Sequence, residues 1–207
     1  MKKFADLRDG GRALAPALQS YAGRDDVVVL AIVRGGVPVA AEVAKHLGVA
    51  YDILHFQRLL MPHGPGSAIC ASYVAGTLVV DEELARHRGD AGFELYLQET
   101  FERIARRDAL VRGTRVPLEL AGKTVLLVDN AIRTGSTLRI AISAVRRMSP
   151  ARVVAAVPVG APESRAGIEA IADELIVLGW PAPFGNAGMW YEKFDVPVDE
   201  VVAGFRA

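Results

Sequence analysis

Residues 125–146 read VLLVDNAIRTGSTLRIAISAVR. The four apolar residues at the start show no alternation, as expected of a strand buried on both faces, and the run stops at Asp129. A short turn follows, rich in small and hydroxylated residues and carrying Gly135. From about Ser136 to Met148, Leu138, Ala141, Ile142 and Val145 fall at helical spacing. Strand, turn and helix in that order form half of a crossover unit, which points to a parallel sheet.

The same rhythm continues on both sides. Upstream, residues 27–33 (VVVLAIV) form a second continuous β-branched run. Arg34-Gly35-Gly36 follows, then a helix over 37–47 with Pro38 in its first turn, where a missing N–H costs nothing, and Gly48 at its end. Residues 51–56 read as a strand, and 11–22 as an N-terminal helix carrying Leu14, Leu18 and Tyr21. Downstream, 151–157 and 174–178 read as strands with a helix over 164–172 between them. Residues 92–112 form an amphipathic helix whose i,i+4 pairs Glu99–Arg103 and Glu102–Arg106 belong to its solvated face. Right-handed crossovers between such units give a doubly wound, mainly parallel α/β sheet with helices on both faces.

Two stretches break the pattern. Within 57–80, MPHGPGS at 61–67 is dense in turn formers and is expected to be an exposed, mobile lid, with a short hairpin over 71–80 after it. From Trp180 to the end no period survives, and 180–207 is expected to form an irregular hood. With no repeat or linker, 1–207 is expected to be a single domain with its core over about 11–178.

Composition narrows the function. The 207 residues are 51% hydrophobic, with 24 basic and 24 acidic side chains, so the net charge is zero. Mean hydropathy is +0.24. A chain of this size buries roughly 70% of its unfolded surface and needs no staple. Disorder is excluded, and no global field exists to gather nucleic acid. Cys70 is the single cysteine, which excludes an internal disulfide and a Cys-rich zinc site. The opening MKKFADLRDGGRALA has no apolar run behind its lysines, and no stretch is long enough to span a membrane, so a cytoplasmic protein is expected.

In an open parallel sheet, ligands sit beyond the carboxyl ends of the strands. Two strand-to-helix turns there have the composition of phosphate cradles: Arg34-Gly35-Gly36, and the turn ending in Thr134-Gly135-Ser136-Thr137. Free N–H groups at a helix N-terminus, hydroxyls and a close-approaching glycine favour an anion. Either turn alone is also what a tight turn or an N-cap requires. Together they suit a ligand with phosphate at both ends, and Asp129 between them suits a sugar hydroxyl or a metal. The chain has no GxxxxGK[ST], GxGxxG, HExxH or GxSxG, which removes P-loop, dinucleotide, zinc-peptidase and serine-hydrolase readings.

The 125–146 stretch resembles the signature of the type I phosphoribosyltransferases: a hydrophobic strand, two acidic positions and a TGxT-like loop opening a helix. RGGVPVAAEVA at 34–44 and PAPFGNAGMWYEKF at 181–194 are similar to a bacterial branch of that family, and the likeness covers nearly the whole chain. The resemblance implies transfer of ribose 5-phosphate from 5-phosphoribosyl 1-diphosphate (PRPP) to a nitrogenous base, with Mg²⁺ as cofactor and diphosphate released. By position, Arg133, Thr134, Gly135, Ser136 and Thr137 would hold the 5-phosphate. Arg34, Gly35, Gly36 and Arg58 would hold the diphosphate. Asp129 and Asn130 would face the ribose hydroxyls as the catalytic pair, Asp129 meeting the metal only through the bound PRPP. Phe184 and Trp190 would stack on the acceptor, unless the hood aromatics Trp180, Phe184, Trp190 and Tyr191 serve only to pack that segment. A homodimer is implied; nucleic-acid and membrane partners are not.

The sequence departs from the family pattern in three respects. Asn130 replaces the second acid. Arg133 stands where some purine-using members carry an aspartate base, and an arginine cannot act as one. Gln57-Arg58 replaces an Arg-Lys pair, losing one charge. Asn130 and Gln57 motivate one rival, a PRPP- or nucleotide-binding regulator without catalysis; a further rival is a hydrolase of a phosphoribosyl compound, with water reaching the site through a leaky lid.

Overall fold

The computed structural model describes residues 2–60, 68–74, 77–80 and 91–198. Among these residues seven strands form one sheet in the order β4-β3-β2-β1-β5-β6-β7. They are β1 Val27–Ile32, β2 Ala50–Leu60, β3 Ala68–Val74, β4 Thr77–Val80, β5 Thr124–Val128, β6 Arg152–Val159 and β7 Glu174–Gly179. The five from β2 to β7 pair in parallel, while β3 and β4 add an antiparallel hairpin to β2. Among the described residues five α-helices accompany them: α1 Leu7–Leu14, α2 Gly36–Leu47, α3 Ala91–Arg112, α4 Ser136–Arg146 and α5 Arg165–Glu169.

Strand side chains alternate between two cores, as the pleat requires. Val27, Val29 and Ala31 of β1 face one cluster with Leu7, Leu14, Val39 and Val43 from α1 and α2. Val28, Leu30 and Ile32 face the other, with Leu138, Ala141, Ile142 and Val145 from α4. Both faces of β1 and β5 are thus covered, which is why their sequences show no polar alternation. Helices α1 and α2 approach closely because position 11 is glycine: a Cβ there would run into the Val39 carbonyl and lie 2.9 Å from the Glu42 Cβ.

The expected helix over 11–22 is two elements. Asp6 caps α1, its carboxylate accepting from Asp9 N–H at 2.7 Å, so the helix starts earlier than the apolar spacing suggests. Pro16 then supplies no N–H, and Ala15–Tyr21 tightens into a 3₁₀ helix. The 164–172 helix likewise shortens to a 3₁₀ turn, Pro162–Ser164, followed by α5.

The stretch 57–80 needs the larger correction. Gln57 to Leu60 is not loop but the continuation of β2, which runs past the end of β1: Leu54 is its last partner there, and from His55 it pairs with β3. The turn formers are confined to 61–67, outside the described residues, and the flanking apolar residues make strands. The hairpin packs against α4. Among the described residues no helix is long and apolar enough to cross a membrane.

Candidate active site

The chain leaves β1 toward β2 through α2 on one face, and leaves β5 toward β6 through α4 on the other. Strand order therefore reverses between β1 and β5, which are neighbours in register, Ala31 beside Val128. Their two exit turns emerge side by side, where an open α/β sheet forms its ligand crevice.

The first turn carries Arg34, exposed, and Gly35, the N-cap of α2 with no side-chain cap. The Val33–Arg34 peptide is cis. Gly36 sits against the other turn: a Cβ would lie 2.6 Å from the Val128 carbonyl oxygen and 3.0 Å from the Asp129 Cα. A Cβ on Gly35 would meet the Asn130 side-chain oxygen at 2.9 Å. Gly36 is thus required for the two turns to touch, beyond any turn preference of its own, whereas a side chain at position 35 would have to displace only the Asn130 side chain.

In the second turn, residues 129–138 line a cavity of about 340 Å³. Ile132 is stitched to the end of β6, its N–H donating to the Val159 carbonyl at 3.0 Å and its own carbonyl accepting from Ala161 at 2.7 Å. Gly135 holds φ +77°, which a side chain would strain, and it opens α4 with no side-chain cap. The Thr134 and Ser136 hydroxyls lie 3.1 Å apart at the helix N-terminus, so donors and dipole converge there. Arg133 is exposed on the cavity rim; among the described residues neither it nor Arg34 pairs with a carboxylate.

Asp129 is buried between the turns. Its Oδ1 accepts from Asn130 N–H at 2.7 Å. Burial pushes its carboxyl up to about 7, only partly opposed by that hydrogen bond. A carboxyl with this value switches its charge near neutrality, so a nearby cation decides its state.

The structure brings together Arg34, Gly35, Gly36, Asp129, Asn130, Arg133, Thr134, Gly135, Ser136 and Thr137. Arg58 is on β2 opposite Cys70, but its side chain, like that of Gln57, lies outside the described residues. Phe184 is only 4% exposed, packed with Val159 and Ala161, and leaves little ring face for an acceptor. Trp190 is half-buried, its Nε1–H donating to the Phe184 carbonyl at 2.9 Å. Both rings hold the hood together. Tyr191, one residue on, reaches the site: its hydroxyl donates to the Asn130 carbonyl at 2.6 Å. The motif at 181–194 contained it, but only the fold puts it above Asn130.

A family model for the phosphoribosyl transferase domain matches residues 4–187. The chain belongs to this family. A Mycobacterium tuberculosis family member, named "Putative phosphoribosyl transferase Rv0571c", is 35% identical over 99% of this chain. The chain spans about half of that relative, 46% of its length. The crystal structure of TT1426 from Thermus thermophilus superposes with a TM-score of 0.83 at 33% identity, covering 99% of this chain and 97% of that one. A hypoxanthine-guanine phosphoribosyltransferase from Bacillus anthracis, 15% identical with a TM-score of 0.51 over 91% of this chain and 89% of its own, shares the family fold.

Proposed function

We propose that the protein transfers ribose 5-phosphate from PRPP to a nitrogenous base. The observation that carries this reading is the pair of anion-accepting turns at the switch point, with the buried Asp129 between them, in a chain of this family. The α4 N-terminus, with Thr134, Gly135, Ser136 and Thr137, holds the 5-phosphate, and Arg133 adds a charge from the rim. Arg34 and the α2 N-terminus at Gly35 and Gly36 take the diphosphate, joined by Arg58 from the β2 arm.

During transfer the ribose C1–O bond breaks and the electron pair leaves with diphosphate. A bond from a base nitrogen to C1 forms, and that nitrogen gives up its proton. Asp129, ionised once cationic character develops beside it, stabilises the positive charge on the ribose ring. Among the described residues no three His, Cys, Asp or Glu side chains gather to hold a metal by themselves. One carboxylate with phosphate oxygens and water nevertheless fits Mg²⁺, which seldom uses an all-protein cage. Asp129 would face such an ion through the bound PRPP, and the ion would supply neutralisation of the leaving diphosphate.

A second reading, a PRPP- or nucleotide-binding regulator, is favoured by Asn130, which brings no charge to the ribose side of the site. Calorimetric titration of PRPP with and without Mg²⁺ tests both readings, and diphosphate release with a panel of nucleobases separates them. Binding is expected to strengthen with Mg²⁺. Asp129→Ala is expected to lose turnover at least a hundredfold, and Thr137→Ala about tenfold through one lost phosphate hydrogen bond. Full PRPP-dependent turnover in both variants would sink the site assignment. Tight PRPP binding with no diphosphate released from any base would favour the regulator.

A further inference from the structure

Tyr191 comes from the hood, far along the chain from the turn it touches. Its ring is 3% exposed and is held between Phe4 and Phe194, with centroids 5.5 Å away on each side. The backbone on either side is tied to the N-terminal segment: Phe4 N–H donates to the Trp190 carbonyl at 2.9 Å, and Glu192 N–H to the Phe4 carbonyl at 2.8 Å. Gly10 completes the slot, since a Cβ there would come 3.1 Å from the ring and 3.3 Å from the hydroxyl oxygen. Ring packing alone does not use the hydroxyl. That group donates to the Asn130 carbonyl at 2.6 Å.

Asn130 is the residue through which the site is held. Its N–H fixes the Asp129 carboxylate at 2.7 Å. Its side chain lies against Gly35 of the opposite turn. Its carbonyl has Tyr191 as its donor. We infer that Tyr191 is a positioning residue: through its hydroxyl the hood sets the Asn130 backbone, and with it the direction of the Asp129 carboxylate and the spacing of the two anion-binding turns. The consequence for PRPP rests on the functional reading above; the consequence for the turn itself does not. Burial and the nearby Asp129 both push the Tyr191 hydroxyl up, so it stays a donor throughout the working pH range. Among the described residues no other donor bonds that carbonyl.

The test is Tyr191→Phe, which keeps the ring and removes only the donor. Tyr21→Phe is the matched control, because it deletes a hydroxyl that donates to Glu174 at 2.6 Å, at the opposite end of the sheet. Two quantities are measured in each: NMR hydrogen exchange of the Asn130 amide, and calorimetric PRPP affinity with Mg²⁺. In Tyr191→Phe, Asn130 exchange is expected to rise, and PRPP to bind more weakly, by about tenfold each, the loss of one buried hydrogen bond. Tyr21→Phe is expected to move neither. Unchanged Asn130 exchange in Tyr191→Phe overturns the inference, and so does faster exchange with PRPP affinity intact. If the wild-type protein binds no PRPP, the functional reading falls and the positioning claim is decided by the amide alone.

Discussion

The Asp129 carboxyl is held at the end of β5 with Asn130 N–H on its Oδ1, and burial raises it from 3.8 to about 7. Below pH 3.8 it is protonated in the folded and unfolded chain alike, and stability is fully present. Between 3.8 and 7 the folded protein keeps a proton that the unfolded chain has released, so stability falls as pH rises. Above 7 a bare charge is buried and the loss is complete. At about 1.4 kcal/mol for each pH unit of separation, the full loss is about 4 kcal/mol. Asp129→Asn keeps the shape and an acceptor for Asn130 while removing the charge. It is expected to be more stable than wild type, by about 2–3 kcal/mol more at pH 8 than at pH 5, in urea unfolding at the two pH values. An advantage independent of pH would contradict the buried, shifted carboxyl. The same substitution is expected to abolish turnover, so the site sacrifices stability for a charge that appears when a cation arrives.

Helix α3 shows how one element fastens the arm above the site. Arg112 is 7% exposed and donates to both oxygens of Asp52 on β2, at 2.7 and 2.9 Å, and to both oxygens of Asp108, at 3.1 Å each. His55 Nε2 lies 3.3 Å from Asp108 Oδ1. Burial pushes Asp108 up, but His55 and Arg112 beside it more than offset this and hold it below the usual carboxylate range. Asp52 and His55 bracket the point where β2 leaves β1 and turns to β3, so the network secures the root of the hairpin. Arg112→Leu strands two buried carboxylates and is expected to lower stability by about 3–5 kcal/mol in urea unfolding. Adding Asp52→Asn and Asp108→Asn is expected to recover much of it. A loss below about 1 kcal/mol for the single variant would show that water or rearrangement satisfies the acids.

Across the whole molecule, protection follows the sheet. β1 and β5 are buried along their full lengths, and β6 all but its first residue, whereas β7 is mostly half-buried. Native-state hydrogen exchange is expected to place the slowest amides on β1, β5 and β6, with β7 exchanging through a smaller opening; β7 amides as slow as those of β1 would refute this order. The same central strands were the legible part of the chain. The runs at 27–33 and 125–128 announce strands covered on both faces, and the helices that follow them, α2 and α4, show the apolar positions they bury, because these patterns are local and burial is what selects them. Helix α3 is the exception: it buries Thr100, Ile104 and Asp108 and leaves Phe101 exposed. The two glycine turns were legible for the same reason. What lay beyond local pattern was every feature that depends on a distant partner. The continuation of β2 through residues 57–60 exists because β3 returns to pair with it. Phe184 went to packing because the end of β6 and the turn after it offered it Val159 and Ala161. Tyr191 reached Asn130 only because the hood folds back over the switch point. Local pattern thus reaches the central strands and the two turns that meet between β1 and β5. Tertiary structure alone decided which hood aromatic touches that crevice and how far Asp129 is driven from an ordinary carboxylate, since contact and desolvation are properties of the assembled fold.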